Sequence, residues 1–430
     1  MNFFKLSFKL KGFPLNKALR KIEQFEVGHS ANMELRKRIF QYHIKHNDFY
    51  KNTVKRTEFS KWEAIPILTK DMLHVPLEER ISKTYSNKKL LKAKTSGSSG
   101  FPFSYAKNKF CHALTWAHIL NVYKEAGVDY GKDYQARFYG IPKDGIAQNI
   151  EQLKDKLSNR KRFVIFDLTD HKLDEFIAIF QKHEFDYIYG YSSSIVLFAE
   201  YLRKKGLKLK TLCPSVKLCI TTSEMLFPED RTLLKKQFEV PVYNEYGASE
   251  FGLIAFENKG QELFLNDKTI YTEIVDDSGK VLPYGEIGRI VITSIYNKAH
   301  PFVRYEVGDL GAISVDKFTG KQVLSKLVGR TNEFALLEDG RRIPAFTFYY
   351  IAKLISYDID SIKELKIIQS QSNAFKLEYT ADKALSCNEK ELIKDAFYNY
   401  LETTVMLEFE KKTHLLRSKN GKLKQFESRL

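Results

Sequence analysis

Helical and strand-like segments alternate through the middle of the chain. Apolar residues recur three or four positions apart in the longer segments, which is the spacing of a helix with one buried face. The short apolar runs between them predict strands, and strands that alternate with helices of about 10–15 residues indicate parallel βαβ units. The predicted helices cover 110–126, 170–182 and 193–204, and the predicted strands cover 162–167, 187–190 and 216–221.

The pattern changes after residue 262. Short apolar stretches at 263–265, 271–275 and 288–294 are separated by turn sequences rich in Asp, Gly and Pro. Apolar residues at every second position are typical of half-buried strands. This section is therefore predicted to form antiparallel strands.

Two features are predicted upstream of the βαβ units. Residues 30–60 are predicted to be helical and strongly charged, and the apolar turn at 65–68 is predicted to lead into a helix capped by Thr69. The polar stretch 94–102, rich in Ser and Gly, is the most loop-like part of the chain.

A domain boundary is predicted near Gly329 and Arg330. Residues 1–328 would then form a large N-terminal domain, and residues 329–430 would form a small α+β domain of ordinary size. The predicted fold class is α/β, with βαβ units and an antiparallel section in the large domain. In the small domain, strands are predicted at 365–369, 375–379 and 405–409 and a helix at 388–401, before a basic polar tail.

The N-terminal segment combines apolar and basic side chains. As a helix it would either pack on its own domain, which is the expected case, or contact a membrane surface. Its lysines interrupt the apolar run, so no signal-peptide core is predicted. No stretch approaches the roughly 20 apolar residues of a transmembrane helix. The residues that would share one helical face are Phe3, Leu6, Leu10 and Phe13.

Composition narrows the class of protein. The chain has 430 residues, of which 43% are hydrophobic and 28% are charged, so a disordered, collagen-like or coiled-coil protein is excluded. The cysteines are few and scattered and form no C-x-x-C pair, so neither a disulfide framework nor a zinc site is predicted. They fit a protein of the reducing cytoplasm, which is the predicted location. The cysteines are Cys111, Cys213, Cys219 and Cys387.

The chain is basic, with a formal net charge of +16. Such an excess is compatible with nucleic acid, an anionic membrane or a polyanionic small ligand such as a nucleotide. No long Lys/Arg tract and no nucleic-acid-binding signature accompanies the charge. No nucleic-acid partner is therefore predicted, and charge alone does not decide the function.

Five short motifs carry the candidate chemistry. Small residues at 95–100 let a backbone approach a ligand closely, and successive N–H groups there can bind an anion, although a surface turn explains the same residues. The motif at 243–250 is interpreted as a strand-end loop. Its aromatic ring can stack on a nucleotide base, and Glu250 offers the hard oxygen ligand that Mg²⁺ prefers. Taken alone, that loop is better explained by aromatic core residues beside a solvated Glu250.

The other three motifs follow in the second half of the chain. Asp309, interpreted as lying at a strand end, can accept hydrogen bonds from a ribose diol, or can belong to a plain Gly-Asp turn. Arg330 carries forked donors that suit ribose or phosphate. Lys422, after Asn-Gly in the basic tail, either neutralises a developing phosphate charge or belongs to a solvated surface.

Taken in order, these motifs resemble the adenylate-forming superfamily of acyl-CoA synthetases, luciferases and peptide-synthetase adenylation domains. The sequences that carry the likeness are T-S-G-S-S-G-x-P, Y-G-A-S-E, Y-E-V-G-D-L, G-R and N-G-K. Within the superfamily the chain is most similar to the phenylacetate–CoA ligase branch and its capsule-biosynthesis relatives. The resemblance spans roughly residues 65–422 and implies that the small C-terminal domain is mobile.

The resemblance also implies an activity. A carboxylate would attack the α-phosphate of ATP with Mg²⁺ present, giving an acyl-adenylate and pyrophosphate, and a thiol, usually that of coenzyme A, would then displace AMP. Lys422 and Glu250 would be the catalytic residues, with Glu250 as the metal ligand. The ATP- and AMP-binding residues implied are Thr95, Ser96, Gly97, Ser98, Ser99, Gly100, Tyr246, Gly247, Ala248, Ser249, Asp309 and Arg330.

The chain departs from the family pattern at two positions. Phe103 stands after the loop proline, where the family often has lysine, and Asn332-Glu333 stands at the hinge, where the family usually has acidic residues. The hinge departure puts the rotation of the C-terminal domain in question, and both departures bear on turnover. They keep open a nucleotide-binding protein without turnover.

The acid and its acceptor are less well specified. Residues Tyr139, Gly140, Tyr191 and Ser192 fall where this branch builds its acyl pocket, and their aromatic rings would suit an aryl or medium-sized acid. The same residues could be strand-end core. The acceptor is predicted to be coenzyme A, with a carrier-protein thiol or an amine or hydroxyl of a surface polysaccharide precursor as the alternative.

Overall fold

In a computed structural model of the protein, the structure describes residues 3–25, 33–55, 59, 61–85, 90–95, 103–140, 145–166, 168–330, 334–359, 361–417 and 423–430. An N-terminal helical layer comes first. Its helices are α1 (Phe3–Leu10), α2 (Leu15–Glu23), α3 (Met33–His46) and α4 (Asp48–Val54), and short 3-10 turns follow at Trp62–Ala64, Asp71–Leu73 and Leu77–Arg80.

Two expectations for this layer need correction. The helix predicted after Thr69 is only the single 3-10 turn Asp71–Leu73, and its capping position is Lys70. The N-terminal segment is helical as predicted, but it buries Phe4 and Phe8, whereas Leu10 is exposed. The buried rings pack on Trp116, so this helix uses its apolar face to cover its own domain.

The next elements build the parallel half of a large sheet. A hairpin and a long helix precede it: β1 (Leu90–Lys94), β2 (Ser104–Asn108) and α5 (Lys109–Ala126). The βαβ units then follow as predicted. They comprise β3 (Gln135–Phe138), α6 (Gly145–Leu157), β4 (Arg160–Phe163), α7 (Asp170–Lys182), β5 (Tyr187–Tyr191), α8 (Ser192–Lys204), α9 (Leu209–Leu212), β6 (Leu218–Thr222), α10 (Pro228–Phe238) and β7 (Val242–Ala248).

The antiparallel half continues the same sheet. Among the described residues, eleven strands are joined in the order β10-β11-β12-β13-β9-β8-β7-β6-β5-β3-β4. Pairing is parallel from β4 to β7 and antiparallel from β7 to β10, which confirms the predicted change of pattern. The added strands are β8 (Gly252–Glu257), β9 (Leu263–Leu265), β10 (Ile270–Val275), β11 (Gly288–Ser294), β12 (Tyr305–Val315) and β13 (Gln322–Arg330).

The C-terminal part has a sheet and a core of its own. Its sheet has the order β18-β17-β16-β19, and its buried core lies between residues 335 and 426. Because β13 runs on to Arg330, the exact boundary at 328/329 stays a prediction. The elements are β14 (Phe334–Leu336), β15 (Arg342–Pro344), α11 (Ala345–Asp358), β16 (Ile362–Gln371), β17 (Ala374–Ala381), α12 (Cys387–Leu401), β18 (Met406–Lys411) and β19 (Phe426–Ser428).

Gly190 allows two parallel strands to pack closely. It lies in β5 opposite Phe138 of β3, and a Cβ placed on it would come within 2.3 Å of the Phe138 carbonyl oxygen. We expect Gly190→Ala to lower the free energy of unfolding by about 1–3 kcal/mol, since overpacking forces the backbone to shift. Urea unfolding of the variant and the wild type checks this, and an unchanged free energy of unfolding would contradict the close packing at Gly190.

Candidate active site

A cavity of about 1410 Å³ opens at the carboxyl ends of the parallel strands. Tyr139 follows β3, Tyr191 ends β5, Glu224 follows β6 and Glu250 follows β7, and all four line it. Loops at the carboxyl ends of parallel strands meet at one edge of the sheet, which is where open α/β folds bind ligands. The C-terminal part contributes another wall that includes Lys363 and Lys424.

Most residues that the sequence assigned to the site lie on this one cavity. Ser192 is an exception, because it is only 1% exposed and Ser193 lines the cavity instead. The loop residues Ser96–Gly100, Lys422 and the side chain of Arg330 lie outside the described part of the chain. The predicted residues on the cavity wall are Thr95, Tyr139, Gly140, Tyr191, Tyr246, Gly247, Ala248, Ser249, Glu250 and Asp309.

Thr95 anchors one end of the predicted phosphate loop. Its backbone N–H donates to the Phe103 carbonyl at 3.0 Å, and its Oγ1 accepts from the Phe103 N–H at 3.1 Å. These bonds extend the pairing of β1 with β2, so residues 96–102 connect the two strands of a hairpin. The Phe103 ring, at the position where lysine was expected, is buried beside Phe302 and Tyr305.

The motif at 243–250 is a strand rather than a strand-end loop. Residues Val242–Ala248 form β7 and pair with β6 and β8. Gly247 lies at a register shift, and a Cβ there would come within 2.7 Å of the Gly252 carbonyl oxygen. Glycine at position 247 therefore allows β7 and β8 to approach each other closely. Ser249 and Glu250 follow directly after β7 and line the cavity.

Tyr246 and Asp309 form a direct contact across the site. The Tyr246 hydroxyl donates to Asp309 Oδ2 at 2.6 Å, and both residues are buried to 9% exposure. Asp309 was interpreted as a strand-end residue, but it lies inside β12, opposite Arg330 of β13. The hydrogen bond from Tyr246 orients the Asp309 carboxylate. The pairing of β12 with β13 places Asp309 and Arg330, the two predicted ribose contacts, opposite each other on neighbouring strands.

Glu250 is a buried carboxylate in a polar pocket. Its Oε1 accepts from the Tyr305 hydroxyl at 3.3 Å, and the neighbouring Ser249 carbonyl accepts from the Tyr105 hydroxyl at 2.5 Å. Burial raises the pKa of Glu250, although the positive charges of Lys70 and Lys107 partly oppose that rise. A carboxylate that loses hydration on burial gains from a nearby cation.

The residues present fit a Mg²⁺ ion held largely by its substrate. Within the described ranges, no cluster of three His, Cys, Asp or Glu side chains could hold a metal by itself. Mg²⁺ usually keeps water and substrate phosphate ligands and takes only one or two carboxylates from the protein. Glu250, a buried carboxylate on the cavity wall, suits that single role.

Three tyrosines form the wall at the ends of β3 and β5. The ring centroids of Tyr139 and Tyr191 lie 4.2 Å apart, and the Tyr139 ring is parallel to Tyr189 at 6.1 Å. The Arg137 guanidinium carbon lies 4.3 Å from the Tyr139 ring centroid and 5.1 Å from that of Tyr189. The wall is therefore aromatic, and it also carries a cation.

Glu245 provides a second charged group on the same side of the sheet. Tyr123 and Tyr189 each donate a hydroxyl hydrogen bond of 2.8 Å to its carboxylate. Burial raises the pKa of Glu245, and these hydrogen bonds and the charge of Arg137 limit the rise. The capacity of this carboxylate to accept hydrogen bonds is thus largely used within the protein.

Sequence reasoning missed several cavity residues because their roles depend on the fold. Arg137 and Glu245 lie within strands, where a charge normally indicates solvent exposure, and Lys70 follows a turn far away in sequence. Only the buried environment reveals them. The strand Gln135–Phe138 already contains the polar Gln135, so its pattern gives no signal that sets Arg137 apart.

Comparisons with known proteins agree with this architecture. The solved structure of 2-hydroxyisobutyryl-CoA ligase in the postadenylation state matches 91% of this chain and 88% of its own, with a TM-score of 0.69 and 16% identity. That structure contains the adenylate R3-HIB-AMP. At this identity the match establishes the fold alone.

Two sequence relatives point to a branch of that fold. Protein CapK from Staphylococcus aureus is 23% identical over 323 residues, or 69% of this chain and 66% of CapK. The phenylacetate-coenzyme A ligase of Pseudomonas putida is 22% identical over 253 residues, covering 56% of this chain and 55% of the ligase. The chain thus matches less than two thirds of either relative's length. No protein family model matches the chain.

The fold, with its large N-terminal and small C-terminal domain, is that of the adenylate-forming enzymes. In sequence the chain is similar to CapK and to phenylacetate-coenzyme A ligase. Helices in the described segments are too short or too polar to cross a membrane.

Proposed function

We propose that the protein is an ATP-dependent, Mg²⁺-requiring ligase that activates a carboxylic acid as its acyl-adenylate and then forms an acyl-CoA thioester. The supporting observation is one cavity that combines Glu250, the Tyr246–Asp309 pair and an aromatic wall at Tyr139 and Tyr191. In this proposal Glu250 serves the metal–phosphate centre, the Tyr246–Asp309 pair contacts the ribose, and the aromatic wall forms the acid pocket. The proposed cytoplasmic location rests on the same assignment.

In the first half-reaction a carboxylate oxygen attacks the α-phosphorus of ATP, and pyrophosphate leaves with the electron pair of the broken P–O bond. Asp309, oriented by Tyr246, would accept hydrogen bonds from the ribose hydroxyls, and the loop after Thr95 would close on the β- and γ-phosphates. Bound Mg²⁺ would supply charge neutralisation at the phosphates. Glu250 would hold that ion, and Lys422 would reduce the repulsion between the two anions.

In the second half-reaction the thiolate of coenzyme A attacks the acyl carbon, and AMP leaves with its phosphate oxygen. Arg330 would contact the ribose near the boundary between the two domains. The C-terminal wall of the cavity, which includes Lys363 and Lys424, would have to move for the thiol to enter. This motion is the proposed role of the small domain.

Pyrophosphate release on a panel of acids tests the proposal. We expect release that needs ATP, Mg²⁺ and an acid, followed by AMP release that needs coenzyme A. Release of pyrophosphate from no acid would favour a nucleotide-binding protein without turnover.

We also propose an alternative acceptor for the acyl group, because the longer of the two sequence matches is to CapK rather than to a coenzyme A ligase. In that case the acyl group would pass to an amine or hydroxyl of a surface polysaccharide precursor, or to a carrier-protein thiol. AMP release that ignores coenzyme A, while pyrophosphate release persists, would favour this alternative.

Asp309→Ala is expected to weaken ATP binding by about 1.5–3 kcal/mol, because the ribose diol loses a charged acceptor. Tyr246→Phe should weaken it less, since it removes only the 2.6 Å hydrogen bond that orients the carboxylate. Titration calorimetry with ATP measures both. Unchanged affinity in Asp309→Ala would remove this residue from the nucleotide site.

A further inference from the structure

Arg137 is a cation on the cavity wall that forms no salt bridge with any residue in the described ranges. Two acidic side chains influence it electrostatically. Asp155 already forms ion pairs with Arg160 at 2.5 Å and with Arg162 at 2.7 Å, and Glu245 already accepts hydrogen bonds from Tyr123 and Tyr189. Among the described residues no carboxylate forms an ion pair with Arg137 itself. Its charge is therefore available to a ligand in the cavity.

The hydrogen-bonding capacity of Arg137 is also incompletely used. Its Nη1 donates to Gln135 Oε1 at 3.3 Å, a long bond. Its Nε is buried and has no hydrogen-bond partner in the described part of the chain. A buried donor on a charged group is costly to leave unsatisfied, and the guanidinium fork matches a carboxylate in a bidentate arrangement.

Arg137 lies far from the proposed adenylation centre. It belongs to β3, whereas Glu250 follows β7, and β5 and β6 separate the two strands in the sheet. At a spacing of about 4.8 Å per strand, β3 and β7 are about 14 Å apart. Arg137 is therefore placed to contact the far end of a bound acid rather than the carboxylate that is activated.

The immediate surroundings set the shape of that far end. Tyr130 interacts with Arg137 electrostatically, and Trp116 and Tyr123 pack against Tyr130 and also line the cavity, so large apolar rings lie near Arg137. The Tyr139 and Tyr189 rings lie beside the guanidinium and hold it by cation–π contact. An apolar spacer that ends in an anion fits this arrangement.

We propose that the substrate acid carries a second carboxylate, separated from the first by an apolar spacer, and that Arg137 binds this distal carboxylate. The inference rests on the proposed function, because it names the class of acid that the same site activates. It makes Arg137 a specificity-determining residue. A monocarboxylic acid of the same length would leave the guanidinium without its partner.

Matched pairs of acids test the inference by pyrophosphate release. The pairs are adipate with hexanoate, suberate with octanoate, sebacate with decanoate, and 4-carboxyphenylacetate with phenylacetate. Wild type should favour the diacid of at least one pair by about 10- to 100-fold in kcat/KM, the effect of a charged hydrogen bond. Arg137→Met should abolish that preference, and Arg137→Lys should restore part of it. Arg203→Met, on an exposed arginine of α8, should keep it.

The outcomes distinguish a failure of the diacid inference from a failure of the proposed function. Pyrophosphate release without any diacid preference would overturn the inference and leave the proposed function standing. An equal loss on monoacids and diacids in folded Arg137→Met would likewise overturn it, because the arginine would then only support the tyrosine wall. No release from any acid would overturn the proposed function together with the inference.

Discussion

Glu250→Gln should lose acyl-adenylate formation by a factor on the order of 10²–10³ while the protein stays folded. The expected size is that of removing one preorganised charge from a polar active site. The amide keeps the shape of the side chain and can still accept from the Tyr305 hydroxyl, so packing around β12 should survive. It lacks the negative charge that would hold Mg²⁺ beside the phosphates.

The measurement is ATP–pyrophosphate exchange over a Mg²⁺ titration, with thermal unfolding to confirm folding. Glu262→Gln, at an exposed glutamate on the same half of the sheet, controls for a simple loss of charge. Wild-type exchange in folded Glu250→Gln would show that the metal is held elsewhere.

The same experiment has a pH dependence with a definite sign. Burial raises the pKa of Glu250, so its carboxylate takes up a proton at a higher pH than an exposed glutamate does. As the pH falls through that raised pKa, the carboxylate becomes neutral, and more Mg²⁺ should be needed for half-maximal exchange. Glu250→Gln should not show this change, because an amide does not titrate in the same range.

The local elements could be predicted where periodicity was strong. The helix predicted at 170–182 is α7, and the strand predicted at 288–294 is β11, with the same bounds in the structure. The helix α7 is amphipathic, and its buried residues follow its apolar face, whereas β11 is a short apolar run that is buried along nearly its whole length. Prediction failed at β7, where Asn244 and Glu245 interrupt the apolar pattern of a strand that lies within the sheet.

The candidate site shows the same limit. Motif order identified Glu250 and Asp309, but Asp309 lies inside β12, because the Gly-Asp sequence that suggested a turn continues as a strand there. Arg137 gave no motif at all. Its significance depends on β3 and β5 being neighbours, because this pairing places Tyr189, which is 52 positions further along the chain, beside the guanidinium. Such long-range pairing is not encoded in local spacing.

The cation of the adenylation step is the second large effect. Lys422 was assigned from Asn-Gly-Lys and lies outside the described residues, but the chain directly after it lines the cavity at Leu423, Lys424 and Gln425. The Gln425 carbonyl accepts from the Ile367 N–H at 2.7 Å, which fixes this segment beside β16. Two lysines thus compete for one role.

We expect Lys422→Ala to lower acyl-adenylate formation by a factor on the order of 10²–10³, as for other charges aimed at a developing phosphate charge. A chemically supplied acyl-adenylate should still react with the thiol at the wild-type rate, since the lysine acts only in the first half-reaction. Lys424→Ala should have a milder effect on the first half-reaction. Lys383→Ala, at an exposed position of the C-terminal part, controls for lost positive charge.

The two half-reactions, measured separately for the three variants, decide between the lysines. A severe defect in Lys424→Ala with a mild one in Lys422→Ala would transfer the role to the lysine that the structure places on the cavity wall. Equally mild effects in all three would contradict the assignment of the cation to this tail, because ordinary surface substitutions change little. A loss of both half-reactions in Lys422→Ala would instead indicate that the residue positions the C-terminal domain rather than neutralising the phosphate.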